Sequence, residues 1–547
     1  MKCHLDTGAF RAIALVGLSV ALTDTIKADE PPASQRVKIT VSRETTHLLD
    51  PLDTEGYVDY LAAMNRMASD GVTTQNNAGV LFVRAFGAPL LQGAMRTRFF
   101  QLLGTDPLPP RGDYFKEFDP LLSKKEQADF DACQQEPWEA RQFPRFAAWL
   151  KSNEGPLSLV VAGTQRERCY FPLVLAPGNS LIATPLPTEQ ASRDWARALT
   201  LRAMLRVGEG NIVSAEDDLI ACHRLARLIG RSPCLISALV CGVMDKAAFE
   251  ADAALMEAGK LNAREALDYQ VKLRGLPPLP VVADKFDCFE RIAYLDAVLS
   301  MLRGAASRPE MALRLQAPDA QLVLGRLSDY WTGVFRAGNG EYDTWAAAAR
   351  RPAPERLRAF EILGDKLKQD ASDIVGKELF DKITADPEQA RSLAEVFRSR
   401  AAEFAADPAK ADKVPGTFFK AKSSADQGRL MGKFLICLLM PAINSGCAAE
   451  DRANARETLA QVGLALAAFR ADRGAYPLTL KLLVPDYLAV VPKDPCTEGP
   501  LRFLRRADGF LLYSLGSNQR DDDGRSYESQ PPGDDITLQI PRRSATR

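Results

Sequence analysis

Between residues 189 and 260 the apolar positions recur with helical spacing. Ala215, Leu219, Cys222, Ala226 and Ile229 fall four, three, four and three residues apart, which places them on one face of a helix. Gly208 and Gly210 close the helix before it, and Gly230 with Pro233 closes this one. The pattern predicts stacked helical hairpins. No period of about 34 residues recurs, so a tetratricopeptide array is not assigned.

The flanking pattern is more mixed. Val37, Ile39 and Val41 alternate within residues 36–45 and predict a short strand, whereas 57–104 read as helical. Residues 157–184 hold the apolar runs LSLVVAG, YFPLVLA and SLIAT, separated by Pro172, Pro177 and Gly178, and predict a small β insertion. After GLPPLPVVA at 275–283 the helices resume to about 405. Residues 405–428 are rich in Ala, Lys, Ser and Pro and read as a linker, the sharpest domain boundary in the chain.

Beyond the linker, Leu430 to Ile443 is an apolar run interrupted by Lys433 and Pro441. It is short for a membrane span, so a buried helix is preferred over membrane association of 430–443. A long amphipathic helix follows over about 449–473, with Ala455, Leu459, Val462, Leu466 and Phe469 forming its seam. Gly474 caps it and Pro477 blocks its continuation. A shorter helix is expected at 478–484. Leu501–Leu504 and Phe510–Ser514 flank Ala507-Asp508-Gly509 as a β-hairpin, and Ile536–Ile540 reads as a last strand.

Four segments in order carry a family resemblance: Phe469 to Pro477, Pro492 to Pro495, Tyr513-Ser514-Leu515-Gly516, and the final DDITL. Together they resemble the soluble domain of the major pseudopilin of type II secretion systems, over about 449–540. The resemblance implies a helix laid on a small antiparallel sheet. It also implies calcium in the last loop, with the Leu515 carbonyl, Asn518, Asp534 and Asp535 as the matching positions. The loop is longer than the family's, and Gly533 stands where another acid is expected. Its acids, Asp521, Asp522, Asp523, Glu528, Asp534 and Asp535, outnumber Arg520 and Arg525, so a cation site and a solvated acidic loop both remain open. The solvated loop is preferred, and no other cofactor is expected. A pseudopilin begins with a membrane-spanning helix that packs into its filament, whereas here the module follows some 430 residues, so no filament assembly is expected. The rest of the chain resembles large uncharacterised exported proteins of planctomycete-type bacteria, which implies no chemistry.

Composition narrows the rest. Of 547 residues, 46% are hydrophobic and 25% charged, which excludes a largely disordered chain. A formal net charge of −1 gives no general attraction to nucleic acid, and Arg350-Arg351 and Arg505-Arg506 are too small for a nucleic-acid surface. Lys2 and Arg11 before the apolar run Ala12 to Leu22 read as an export signal over 1–28. The expected organisation is therefore a signal at 1–28, a mixed α/β region at 29–188, a helical body at 189–404, a linker at 405–428 and a pseudopilin-like α+β domain at 429–547. The fold class is mainly α, as helical hairpins, with a small β insertion and that α+β domain. Exported chains meet envelope proteins, the expected partners.

Candidate chemistry is sparse. No GxSxG, HExxH, P-loop or CxxC occurs. His223 sits at the edge of its helix's apolar stripe and reads as a packed or hydrogen-bonded core histidine. His47 lies in a polar stretch with Asp50, Asp53 and Asp59, which suggests a general base with its orienting acids, although turn and cap roles serve those aspartates equally. Two functions follow: an exported structural or interaction protein, which is preferred, or an extracytoplasmic acid/base hydrolase. The second requires His47 to line a pocket with Asp50, Asp53 or Asp59 within hydrogen-bond reach.

Overall fold

The computed structural model describes residues 36–542 apart from 88–90, 119–122, 307–319, 378–379, 382–416, 418–422 and 440. The expected signal at 1–28 and most of the linker lie outside the described residues. In chain order the helices are α1 (Tyr60–Ala68), α2 (Ala78–Phe86), α3 (Gly93–Leu103), α4 (Lys124–Cys133), α5 (Pro144–Ser152) and α6 (Glu154–Thr164). Next come α7 (Pro187–Gly208), α8 (Ile212–Gly230), α9 (Leu235–Glu257), α10 (Ala263–Arg274) and α11 (Arg291–Ala306). The last are α12 (Ala320–Ala349), α13 (Ala353–Val375), α14 (Ser424–Leu439) and α15 (Pro441–Arg473). Three strands close the chain: β1 (Arg502–Arg505), β2 (Phe510–Ser514) and β3 (Ile536–Ile540). The protein is thus mostly helical with one small antiparallel sheet near its C-terminal end.

The chain divides into two compact units, each assembled from three stretches of sequence. The first gathers 1–68, 173–185 and 283–445. Its closest packing is α14 on α12. A Cβ on Gly432 would lie 2.5 Å from the Val334 carbonyl oxygen, one on Gly333 would lie 2.6 Å from that of Ala425, and one on Gly428 would collide with that of Tyr330. Missing side chains let two backbones approach, and larger residues at these positions would push the helices apart. Phe434, Leu435 and Ile436 are buried on α14, as the buried-helix reading expected. Among the described residues no helix is long and apolar enough to cross a membrane. Two boundaries are corrected. Residues 424–428 are helix rather than linker, and α14 belongs to this first unit, while the unit holding the sheet resumes at Gly446 rather than 429.

Two expected elements near the N-terminal end also differ. Residues 36–41 form no strand: the Lys38 N–H donates to Ser328 Oγ at 3.1 Å, and the Val37 carbonyl accepts from the Tyr57 hydroxyl at 2.5 Å, so side chains take the bonds a strand would need. The β insertion at 157–184 is instead α6 followed by irregular chain and a 3₁₀ turn at Leu181–Ala183. Leu157, Val160, Gly163 and Thr164 are buried on α6, and Pro156 falls in its first turn, where proline is tolerated. A short apolar run bounded by prolines fits a buried helix as well as a strand. Among the described residues the 29–188 region holds isolated bridges only, Leu52 with Val58 and Asn77 with Arg168.

The second unit gathers 69–172, 186–282 and 446–547. Asn211 caps α8 by accepting from the Ser214 N–H, and Asn262 and Glu265 form a reciprocal capping box on α10. Helices α7, α8 and α9 pack as the predicted hairpins around a fully buried Trp195. The sheet order is β1-β2-β3, with Leu504 opposite Leu511 and Leu512 opposite Leu538. The expected helix at 478–484 is a 3₁₀ turn, Leu480–Leu483. The predicted seam of α15 is buried at Ala455, Leu459, Val462 and Leu466, but so are Ala460, Leu464, Ala465 and Ala468. These positions run round the helix, so α15 is enclosed over its turns 455–468, while Phe469 of the predicted seam is half-buried and Arg470 to Arg473 are exposed. A Cβ on Gly463 would meet both Leu538 of β3 and Met256 of α9, which locates the helix between sheet and hairpins.

Candidate functional site

Two histidines carry the most connected polar groups, one in each unit. His223 and Arg227 stand one turn apart on α8, facing Asp245 and Asp252 of α9. The His223 ring is 2.8 Å from Asp245 through Nδ1 and 3.0 Å from Asp252 through Nε2. Carboxylates on both nitrogens require both to donate, which makes the ring an imidazolium. The Tyr269 hydroxyl of α10 donates to the other Asp252 oxygen at 2.6 Å, and Arg227 donates to Asp245 at 2.8 Å and to the Pro277 carbonyl at 2.7 Å. Arg227 also lies 3.5 Å from Glu457 of α15.

All five side chains His223, Arg227, Asp245, Asp252 and Tyr269 are buried. Burial alone would pull the imidazole's pKa down, but Asp252 and Asp245 overcome it and raise it from 6.5 to about 9. Burial pushes the Asp245 carboxyl up, and His223 and Arg227 together hold it well below the usual carboxylate range. The cavity beside this network has a volume of about 10 Å³ and is lined by His223, Arg227, Asp245, Arg456, Glu457 and Gln461, among others. That is room for about one water, against roughly 300 Å³ or more for a small-molecule site. The geometry cross-links α8, α9, α10 and α15 and leaves no space for a substrate.

The sequence signal for this network was on α9. Ala238, Cys241, Asp245, Ala248, Asp252 and Leu255 follow one another at three and four residues and are all buried, so two aspartates occupy core positions of an otherwise apolar stripe. A buried carboxylate demands a partner, and His223 was the nearest histidine in sequence.

His47 is set differently. It adopts a left-handed backbone, φ 58°. Its Nδ1 lies 3.3 Å from the guanidinium of Arg291, which therefore donates, leaving the ring proton on Nε2. Arg291 begins α11 directly after a π-helical turn, Phe286–Glu290, and is itself buried. It also donates to Asn339 at 2.8 Å, to Asp343 at 2.7 Å and to Asp287, and Asn339 in turn donates to the Arg43 carbonyl at 2.7 Å. Burial and the Arg291 charge lower the His47 pKa below 6.5, so the ring is neutral at neutral pH.

The three aspartates near His47 in sequence are used elsewhere. Asp50 pairs with Arg66 at 2.8 Å. Asp53 accepts from the N–H groups of Glu55 at 2.8 Å and Tyr57 at 3.0 Å, and pairs with Arg303. Asp59 caps α1 by accepting from the Ala62 N–H at 2.9 Å. The structure does not bring His47 together with Asp50, Asp53 or Asp59. Its partners come from sequence more than 200 residues away, where no local spacing announces them.

The acidic loop between β2 and β3 folds over the second face of the sheet. Gly524 packs against Leu511, and Tyr513 donates to Asp521 at 3.1 Å. Asp522 accepts from the Asp534 N–H at 2.8 Å, and Asp534 from the Asn518 N–H at 2.8 Å. Asp535 accepts from the N–H groups of Gly524 at 2.8 Å and Asp522 at 3.1 Å, while its other oxygen is buried with no hydrogen-bond partner among the described residues. Burial raises its pKa from 3.8 to about 6, with Asp522 and Asp521 adding to the effect. The Leu515 N–H is taken by Asp494 at 3.0 Å, which also accepts from Ser514 at 2.6 Å. Among the described residues no three His, Cys, Asp or Glu side chains are grouped to hold a metal ion. Set beside known proteins, the chain matches no family model, no curated protein and no solved structure.

Proposed function

We propose that this is an exported structural or interaction protein whose pilin-like last domain is built into its own helical body and does not polymerise. The observation that carries this reading is the enclosure of α15. A pilin-type subunit offers its long helix to its neighbours. Here the buried residues Ala455, Leu459, Ala460, Val462, Leu464, Ala465, Leu466 and Ala468 run round the helix and leave no face of the stretch 455–468 for another copy. The helix-on-sheet layout supports the pseudopilin kinship, and the closed, narrow surroundings of His223 favour a scaffold over a catalyst. The full chain, studied by light scattering and electron microscopy, should give discrete particles at every concentration; filaments would overturn the reading. N-terminal sequencing of protein recovered from the envelope fraction should start near Asp29, and an intact Met1 would remove the export half of the proposal.

A further inference from the structure

The sheet has two edges, and they are treated differently. Strand β3 is in contact with α9, and just past the strand Arg542 pairs with Glu257 of that helix at 2.5 Å. On the outer side of β1, Phe503 and Arg505 make no backbone hydrogen bond to any segment among the described residues. The Arg506 N–H bonds the Gly509 carbonyl at 2.9 Å, and with the register this makes Leu504 with Leu511 and Arg502 with Tyr513 the hydrogen-bonded pairs. The N–H and C=O groups of Phe503 and Arg505 therefore point away from the sheet, available to a further strand.

The side chains give this edge a sign. Leu504 is 51% exposed, Arg505 and Arg506 are exposed, and neither arginine has an ion-pair partner among the described residues. Arg502 is shared with Asp521 at 3.1 Å. Arginines on an edge repel a strand of like charge, so a second copy of the same edge is an unfavourable occupant. Leu504 shares its face with Arg502 and Arg506 while Arg505 lies on the other, so the complement is a strand with acidic residues on both faces and an apolar one beside Leu504. We propose that β1 is a docking edge for an extended acidic segment of a partner protein, added to the sheet as a fourth strand. The proposal rests on the interaction reading above and names its partner's chemistry.

The test uses the full chain and a labelled nine-residue peptide of glutamates around one central valine, followed by fluorescence anisotropy, with a peptide of lysines around the same valine as counterpart. Saturable binding of the acidic peptide alone is expected, weakening as salt rises. Arg505→Glu combined with Arg506→Glu should weaken it about tenfold or more. Arg505→Pro removes an outward N–H without touching the bonds to β2, so it should weaken binding beyond Arg505→Gln, which removes only the charge. Thermal melts check that each variant is folded, and Arg506→Glu, outside the strand, serves if a β1 variant is not. No binding, equal binding of the two peptides, or equal effects of Arg505→Pro and Arg505→Gln would overturn the proposal. A chain that is exported and forms no filaments yet ignores the acidic peptide loses the docking edge alone, whereas filaments or an intact Met1 would strike the function itself.

Discussion

His223 and His47 show how neighbours decide what the same side chain is. Two aspartates hold the first as a buried cation; an arginine holds the second as a neutral ring. The first network brings together groups from four helices of one unit, and every member is buried or hydrogen-bonded. The second fastens a left-handed loop residue to the start of α11. Buried charges are costly unless matched, so removing one member of the first network should be felt far more than removing the second histidine.

The largest effect is expected from Asp252→Ala. It leaves the His223 cation with one carboxylate and the Tyr269 hydroxyl without its acceptor. Chemical denaturation should show a loss of about 3–5 kcal/mol, as for other broken buried pairs. A loss under 1 kcal/mol would mean that the network is not a cross-link.

The pH response comes next. Folding raises the His223 pKa from 6.5 to about 9, so its contribution is complete below about 6.5 and is lost as pH climbs through 9. The amount is on the order of 3 kcal/mol. His47 has the opposite sign: its folded pKa is lowered, so its contribution is present above 6.5 and is lost as pH falls below that value through the folded pKa. Proton NMR of the two imidazoles, assigned with His223→Gln and His47→Gln, should show one titrating above 6.5 and the other below it. A single shared midpoint would erase the contrast.

His47→Ala should cost less, about 1 kcal/mol, because Arg291 keeps Asn339, Asp343 and Asp287. The smallest effect concerns the acidic loop. Its carboxylates are already met by backbone N–H groups, so calcium against a chelator should leave the unfolding midpoint unchanged. A clear rise with calcium would mean that the orphan oxygen of Asp535 belongs to a cation site.

What could be read in advance follows the same contrast. The hairpins of 189–260, the long helix and all three C-terminal strands were legible, because each is written in a local period with glycine or proline at its ends. The apolar run on α6 has the pattern of a strand because buried segments of either kind look alike when short. The strand expected at 36–45 failed because distant side chains, Ser328 and Tyr57, satisfy its backbone. His223 was read as a core residue and lies in one, but its aspartates were recognisable only as charges misplaced in an apolar stripe. Nothing local joins His47 to Arg291.

Each unit is stitched from pieces far apart in sequence, and this has a kinetic price. Helices α8 to α10 wait for residues 446–547 before their inner faces are covered. Contacts of such long sequence separation form slowly. During synthesis the second unit would therefore stay an unfinished, sticky intermediate until residues 446–547 have been made, which invites a holding chaperone at that stage.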